Sequence, residues 1–145
     1  MGPYKNLTVW QKSMLLAKEI YTVTASYPQS EVYGLVSQMR RCVVSIPSNI
    51  AEGYGRGSNR DLVHFLYISL GSSNELETQL LLSQEFGYIS DAKADVLITL
   101  NGEVNKMLSS LIYKRTLSVE SNFTPGPEII RECSDFTSKP ETSKP

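Results

Sequence analysis

The residue types that carry acid–base, nucleophilic or metal chemistry are few in this sequence, and their spacing forms no catalytic set. His64 is the only histidine, and no second histidine or cysteine stands near it to share a metal ion. Cys42 and Cys133 have neither metal-binding nor redox spacing, and no serine lies in a nucleophile elbow. Glu75 and Glu77 are two residues apart, so they would point to different faces of a helix. We therefore expect no enzyme activity, no bound metal and no cofactor.

The elements that position these residues are predicted from apolar periodicity, which is clearest in the middle of the chain. Pro47 lies inside the pattern, where it removes a backbone hydrogen bond and pushes against the carbonyl of Val43. Because Ile50 stays in phase with Ile46, we predict one kinked helix that ends near Glu52, with Gly53 as its end. The apolar residues recur at intervals of three and four, as on one face of a packed helix: Val32, Val36, Met39, Val43, Ile46 and Ile50.

A first helix is predicted before this stretch, from about Val9 to Ser26. Thr8 and Gln11 have the spacing of a capping box at its start, and Ser30 is placed to cap the second helix. One stripe of this first helix is expected to face the core: Trp10, Met14, Ala17, Tyr21 and Thr24.

Two further helices are predicted after the glycine-rich stretch at residues 53–58. Ser58 and Asp61 form a second capping box for a helix that runs to about Glu85. A fourth helix runs from about Asp91 to Arg115. All connections are short, so neighbouring helices should be antiparallel. The core seam of the third helix is partly built from small residues: Leu62, Leu66, Ser69, Ser73, Leu76 and Leu80.

The predicted fold class is therefore all-α, an antiparallel up-down four-helix bundle with a kinked second helix over residues 1–117. Residues 118–145 have a different composition, with four of the seven prolines and no helical period. We predict that this second segment is a disordered tail.

Three separated motifs carry a family resemblance. QMRRCVVSIPSNIAEGYGR at residues 38–56 resembles the signature of the 23S rRNA intervening-sequence protein family, and LTVWQK and GSSNELETQL match the same family. Cys42 departs from the pattern, which favours a small residue such as alanine. The resemblance spans roughly residues 4 to 115 and implies a bundle that assembles into rings, commonly pentamers. The chain is also similar to the accessory protein of diversity-generating retroelements, an RNA-associated pentameric bundle.

Charge is expected to differ between the two ends of such a bundle, although the net charge of the chain is only -1. Helix starts and ends alternate, so basic residues gather at one end and acidic residues such as Glu77, Glu85 and Asp95 at the other. In a ring these basic ends would face one side and their fields would add. The alternative is that the charges are scattered and solvated. The candidate nucleic-acid-binding residues are Arg56, Arg60, Lys5, Lys12, Lys114 and Arg115.

Apolar residues beyond those needed for one core predict self-association through helices 2 and 3. A patch of this kind left in water would promote association. Arg41 points away from the core beside outward Val44, which suits a subunit interface, and Glu75 is a possible partner for it. The candidate interface residues are Arg41, Val44, Val63, Tyr67 and Leu70.

Two functions follow as hypotheses from these observations. The first is a non-enzymatic, ring-forming accessory protein that associates with RNA or DNA, as the resemblance implies. The second is a homo-oligomeric protein-interaction scaffold that binds no nucleic acid, which the sequence pI of about 5.8 favours. No apolar run is long enough to span a membrane, and no signal peptide is present, so we expect a cytoplasmic protein. We expect no small-molecule substrate.

Overall fold

The computed structural model describes residues 3–122, which form four α-helices and two short 3₁₀ turns. Within these residues there is no strand. The 3₁₀ turns span Tyr4–Asn6 and Gln29–Glu31. The helices are α1 (Thr8–Thr24), α2 (Leu35–Gly55), α3 (Asn59–Glu85) and α4 (Asp91–Ser121).

The helices pack in a closed cycle in which each contacts its two neighbours in the order α1, α2, α3, α4 and back to α1. Neighbours run in opposite directions. Lys12 of α1 pairs with Glu103 of α4, whereas Glu19, about two helical turns further along α1, pairs with the earlier Lys93 of α4. Between α2 and α3, Ser69 contacts Ile46, whereas the later Ser72 contacts the earlier Cys42. The predicted all-α fold of four helices is confirmed, and these contacts are compatible with the predicted antiparallel arrangement.

The interface between α2 and α3 is built on small side chains, as the sequence predicted. The Ser69 hydroxyl donates to the Ile46 carbonyl at 2.9 Å, and the Cys42 thiol donates to the Ser72 carbonyl at 2.9 Å. These side chain to backbone contacts require the two helices to approach closely. All six residues predicted for the α3 seam are buried: Leu62, Leu66, Ser69, Ser73, Leu76 and Leu80.

The second helix continues through Pro47, as predicted, and Pro47 itself is buried. The predicted end at Glu52 to Gly53 is wrong, because α2 continues to Gly55. Gly53 serves helix packing instead: a Cβ atom there would lie 3.0 Å from the side chains of Leu62 and Phe65. Gly57, with φ +84°, provides the left-handed conformation after the helix.

Two of the predicted capping side chains, Thr8 and Ser30, do not cap a helix, and a third, Ser58, does. No side chain caps α1, and the Gln11 amide donates instead to the Lys5 carbonyl, which joins the first helix to the preceding 3₁₀ turn. Ser30 lies within a 3₁₀ turn, and the Glu31 carboxylate accepts from the Leu35 amide at the start of α2. Ser58 caps α3 by accepting from the amide of residue 61.

The face of α1 that points to the core differs from the predicted stripe. Met14 and Tyr21, which were expected in the core, are 46% and 44% exposed. Both stripes of this helix are apolar, so periodicity alone did not decide between them. The buried residues of α1 are Val9, Ser13, Leu16, Ile20 and Thr24.

The fourth helix is longer than predicted, since it ends at Ser121 and not at Arg115. The helix therefore extends four residues past the predicted boundary at residue 117, since residues 118–121 are helical. The rest of the predicted tail, from residue 123 on, lies outside the described residues. No helix of the described part is long and apolar enough to cross a membrane.

Candidate functional site

A groove lies between each pair of neighbouring helices, and these four grooves contain five of the candidate residues: Arg41, Val44, Tyr67, Leu70 and Lys114. The α1–α2 groove is apolar and includes Trp10, Met14, Ala17, Val44 and Ala51. The α2–α3 groove is polar and includes Gln38, Arg41, Cys42, Ser72 and Glu75. The α3–α4 groove includes Tyr67, Leu70, Ile112 and Tyr113. The α4–α1 groove includes Leu7, Lys106, Met107, Leu111 and Lys114.

The predicted basic end is present, since basic residues lie at the start of α1 and α3 and at the end of α2 and α4. Lys114 lines the α4–α1 groove beside Leu7, and Arg115 reaches the start of α3, where it donates to the side-chain Oδ1 of Asn59 at 3.2 Å. Lys5 and Arg60 are exposed. These side chains therefore share one end of the bundle.

Three of the basic candidates are already held by other side chains. Lys12 forms a 2.8 Å ion pair with Glu103, so its charge is largely neutralised. Arg56 pairs with Glu52 at 2.7 Å and lies over the Phe65 ring, 5.1 Å from the ring centroid. The Arg115 guanidinium lies 5.9 Å from the centroid of the Tyr54 ring. Arg115 has no carboxylate partner among the described residues, whereas Lys12 and Arg56 are both paired and are therefore poorer candidates for phosphate contact.

The remaining basic candidates have no carboxylate partner among residues 3–122. Lys5, Arg60 and Lys114 fall in this group, together with Lys106, which the order of the helices predicts at the same end but which was not among the binding candidates. Lys106 and Lys114 lie two helical turns apart on α4 and share one groove. The eight-residue interval between Lys106 and Lys114 is visible in the sequence and could have identified the two lysines as a pair on one face of the helix.

Acidic residues dominate the opposite end. Glu77, Glu85, Asp91 and Asp95 are exposed there, and the Lys93–Glu19 pair at 3.3 Å neutralises one of the few cations. The bundle therefore has opposite charge at its two ends, and the end where α4 terminates carries cations without a carboxylate partner among the described residues, including Lys5, Arg60, Lys106 and Lys114.

The interface candidates do not form one surface, which corrects the prediction of a single patch on helices 2 and 3. Val44, 42% exposed, lies in the α1–α2 groove. Tyr67, 57% exposed, and half-buried Leu70 lie in the α3–α4 groove. Val63 is half-buried one turn before Tyr67. Because the helices follow one another around the bundle, these two grooves lie on opposite sides of it.

Arg41 is exposed, as predicted, and lies in the polar α2–α3 groove together with Glu75. The expected ion pair between them is not formed within the described residues. The preceding residue, Arg40, does have fixed contacts. Its guanidinium donates to the Thr24 hydroxyl and lies 4.6 Å from the centroid of the Tyr21 ring.

Cys42 is buried in the wall of the α2–α3 groove. Burial, with a smaller effect of the nearby Glu75 carboxylate, raises the pKa of its thiol from 9.0 to about 12. A thiol with this pKa is protonated at neutral pH and is a poor nucleophile. Within residues 3–122 no three potential metal ligands come together.

A four-helix bundle with opposite charge at its two ends and apolar grooves on two opposite sides is the class of protein that the fold and the site define. The chain belongs to the 23S rRNA-intervening sequence protein family, whose model matches residues 5–110.

One solved structure is similar over most of the chain. It is a protein of unknown function from the S23 ribosomal protein family of Bacteroides thetaiotaomicron, with 29% sequence identity and a TM-score of 0.66. The match covers 72% of this chain and 98% of that one. No curated protein matches the chain.

Proposed function

We propose that the protein is a non-enzymatic, ring-forming helical bundle of the bacterial cytoplasm that acts as an accessory protein for RNA or DNA. The observation that carries this proposal is the group of cations without carboxylate partners at one end of the described bundle, Lys5, Arg60, Lys106 and Lys114. Phosphate contacts by such side chains give affinity that does not depend on sequence.

Ring formation strengthens this binding. One subunit offers few cations, and weak contacts of one kind gain affinity when several copies act together. In a cyclic assembly all the basic ends face the same side, and their potentials add. The family resemblance favours about five chains. The two apolar grooves on opposite sides of the bundle are suitable contact surfaces for neighbouring subunits.

The test is binding to structured RNA over a range of salt concentrations, measured by filter binding or fluorescence anisotropy. We expect affinity to fall with salt, and the combined change Lys5→Gln and Arg60→Gln to weaken binding, since neither cation has a carboxylate partner among the described residues. Each phosphate contact that is lost lowers the slope of log affinity against log salt by about 0.7 to 0.9. An unchanged slope would exclude this end as the binding site.

The matched control is Lys18→Gln, which removes one positive charge on α1, where Lys18 is exposed away from the basic end. Its slope should equal that of the unaltered protein. A slope lowered equally by the control would mean that net charge, and not the basic end, governs binding.

A second function, a protein-interaction scaffold that binds no nucleic acid, is favoured by the chain's net charge of -1 and by its apolar grooves. The same experiment separates the two. An oligomer with no measurable affinity for structured RNA at low salt supports the scaffold and contradicts the accessory role.

A further inference from the structure

The α4–α1 groove has the features of a docking site for an acidic, apolar segment. Its floor consists of apolar side chains, among them half-buried Leu7, Met107 and Leu111, and its volume is about 350 Å³. Lys106 and Lys114 stand on its α4 side, and neither has a carboxylate partner within residues 3–122. A ligand for this groove should therefore carry two negative charges with an apolar group between them.

The chain itself contains a segment with that pattern shortly after α4. Residues 128–132 read EIIRE, so that Glu128, Ile130 and Glu132 alternate with Ile129 and Arg131. In an extended chain alternate side chains share a face, which places two carboxylates on either side of one isoleucine.

We propose that residues 128–132 dock in the α4–α1 groove of their own chain, antiparallel to α4, with Glu128 at Lys114 and Glu132 at Lys106. The two lysines are eight residues apart on a helix, which is about 12 Å. The two glutamates are four residues apart, which is about 13 Å in an extended chain. The charges therefore match in spacing, and Ile130 falls over the apolar floor between Met107 and Leu111.

The connection is long enough for this arrangement. Lys114 lies eight residues before Asn122, or about 12 Å back along the helix. Glu128 is six positions after Asn122, a distance of up to about 20 Å when the chain is extended. The sequence Pro125-Gly126-Pro127 within this connection opposes continuation of the helix and favours a reversal of the chain.

Docking would cover two cations of the basic end. If the proposed function is correct, the docked segment competes with nucleic-acid phosphates for Lys106 and Lys114. This consequence rests on the proposed function, whereas docking itself does not, so the test below uses no nucleic acid.

The test is the mobility of a nitroxide label on Cys133, which directly follows Glu132, measured by electron paramagnetic resonance on the full chain. Cys42 is buried and its thiol has a raised pKa, so labelling should be confined to Cys133. A Cys133→Ser chain should take up no label. We expect a slow-motion component in the spectrum at low salt, which decreases at 1 M salt as screening weakens the charge pairs.

Charge reversals identify the groove as the docking site. Lys106→Glu with Lys114→Glu, or Glu128→Lys with Glu132→Lys, should make the label mobile, and the combination of all four changes should restore the slow component. Lys5→Glu with Arg60→Glu changes the charge of the same end by the same amount outside the groove and should have no effect. A mobile label in the unaltered chain, or a slow component that survives both reversals, would overturn the proposal.

Docking on a neighbouring chain is tested by mixing. Labelled chains with Lys106→Glu and Lys114→Glu are combined with excess unlabelled chains that carry Glu128→Lys and Glu132→Lys, whose grooves are intact and vacant. A label that stays mobile supports docking within one chain. A slow component after subunit exchange would contradict it and assign the groove to a second copy.

Discussion

At the scale of single residues, Cys42 lies at the contact between α2 and α3. Its thiol donates to the Ser72 carbonyl at 2.9 Å and is 6% exposed. The pKa is raised from 9.0 to about 12, first by burial and second by the Glu75 carboxylate. The folded state therefore holds a proton that the unfolded chain releases near its ordinary pKa.

The first prediction follows from this difference in proton binding. Below pH 9 both states hold the proton, so the contribution to stability is fully present there. Between about pH 9 and 12 only the unfolded state loses it, and the free energy of unfolding falls as pH rises. Cys42→Ser keeps a donor for Ser72 without titrating in this range. Urea unfolding from pH 8 to 10.5 should show a flatter pH dependence for this variant than for the unaltered chain. Parallel curves would contradict the prediction.

At the scale of elements, Gly53 sets the distance between the end of α2 and the start of α3. A Cβ atom at this position would lie 3.0 Å from the Phe65 Cβ atom and 3.4 Å from the Leu62 Cα atom. Neither atom moves without its helix. Gly55, two residues later in the same helix, has no atom within 4 Å of such a Cβ.

The second prediction compares these two glycines. Gly53→Ala should destabilise the bundle by about 1 to 3 kcal/mol, because it overpacks a close contact between two helices. Gly55→Ala should stabilise it by about 0.5 kcal/mol, because alanine restricts the unfolded chain and fits without a clash. Chemical denaturation of both variants measures the difference. If the Gly53→Ala chain were as stable as the Gly55→Ala chain, the prediction would be contradicted, because the two helices would then accommodate the added methyl group without loss of stability.

The helices themselves were largely predictable, because one strong apolar period fixes a helix and its buried face. The stripes of α2 and α3 were predicted correctly for this reason, including the continuity of α2 through Pro47, except that Val32 lies before α2 and is 38% exposed. The buried face of α1 was not, because this helix has two apolar stripes and only tertiary packing distinguishes them. The exposed stripe, with Met14 and Tyr21, is a surface that the bundle core does not use.

Helix ends were predicted less well, because short polar residues have several local bonding choices. Glu31 caps α2 from outside the predicted position, and Gln11 bonds back to Lys5 rather than completing a capping box. The basic end could be predicted from the order of helix starts and ends. The ion pairs that neutralise Lys12 and Arg56 depend on which side chains of neighbouring helices meet, and the sequence does not specify this.

At the scale of the whole molecule, the positions of the two apolar grooves determine the kind of contact that subunits can make. Val44 lies in the α1–α2 groove and Tyr67 in the α3–α4 groove, on opposite sides of the bundle. If one groove of each subunit meets the other groove of the next, the contact is heterologous and closes into a ring at a suitable angle. A contact between like grooves would instead give a two-fold dimer.

The third prediction distinguishes these assemblies by light scattering after size exclusion. The unaltered chain should be an oligomer at micromolar concentration, and a monomer mass would contradict ring formation. Val44→Glu and Tyr67→Glu should each give monomers, because either change puts a charge into every subunit contact. Val96→Glu is the control, since Val96 is 59% exposed on α4 and lines neither groove.

Mixing the two monomeric variants distinguishes a heterologous contact from a two-fold contact. A Val44→Glu chain keeps its α3–α4 groove, and a Tyr67→Glu chain keeps its α1–α2 groove, so one productive contact remains between the two chains. The mixture should therefore form a dimer with one copy of each variant and nothing larger, because the outer grooves of that dimer both carry a glutamate. If like grooves met, one of the two variants would remain a dimer alone and mixing would produce no new species. An equimolar dimer that forms only in the mixture is expected of a heterologous contact and not of a two-fold one.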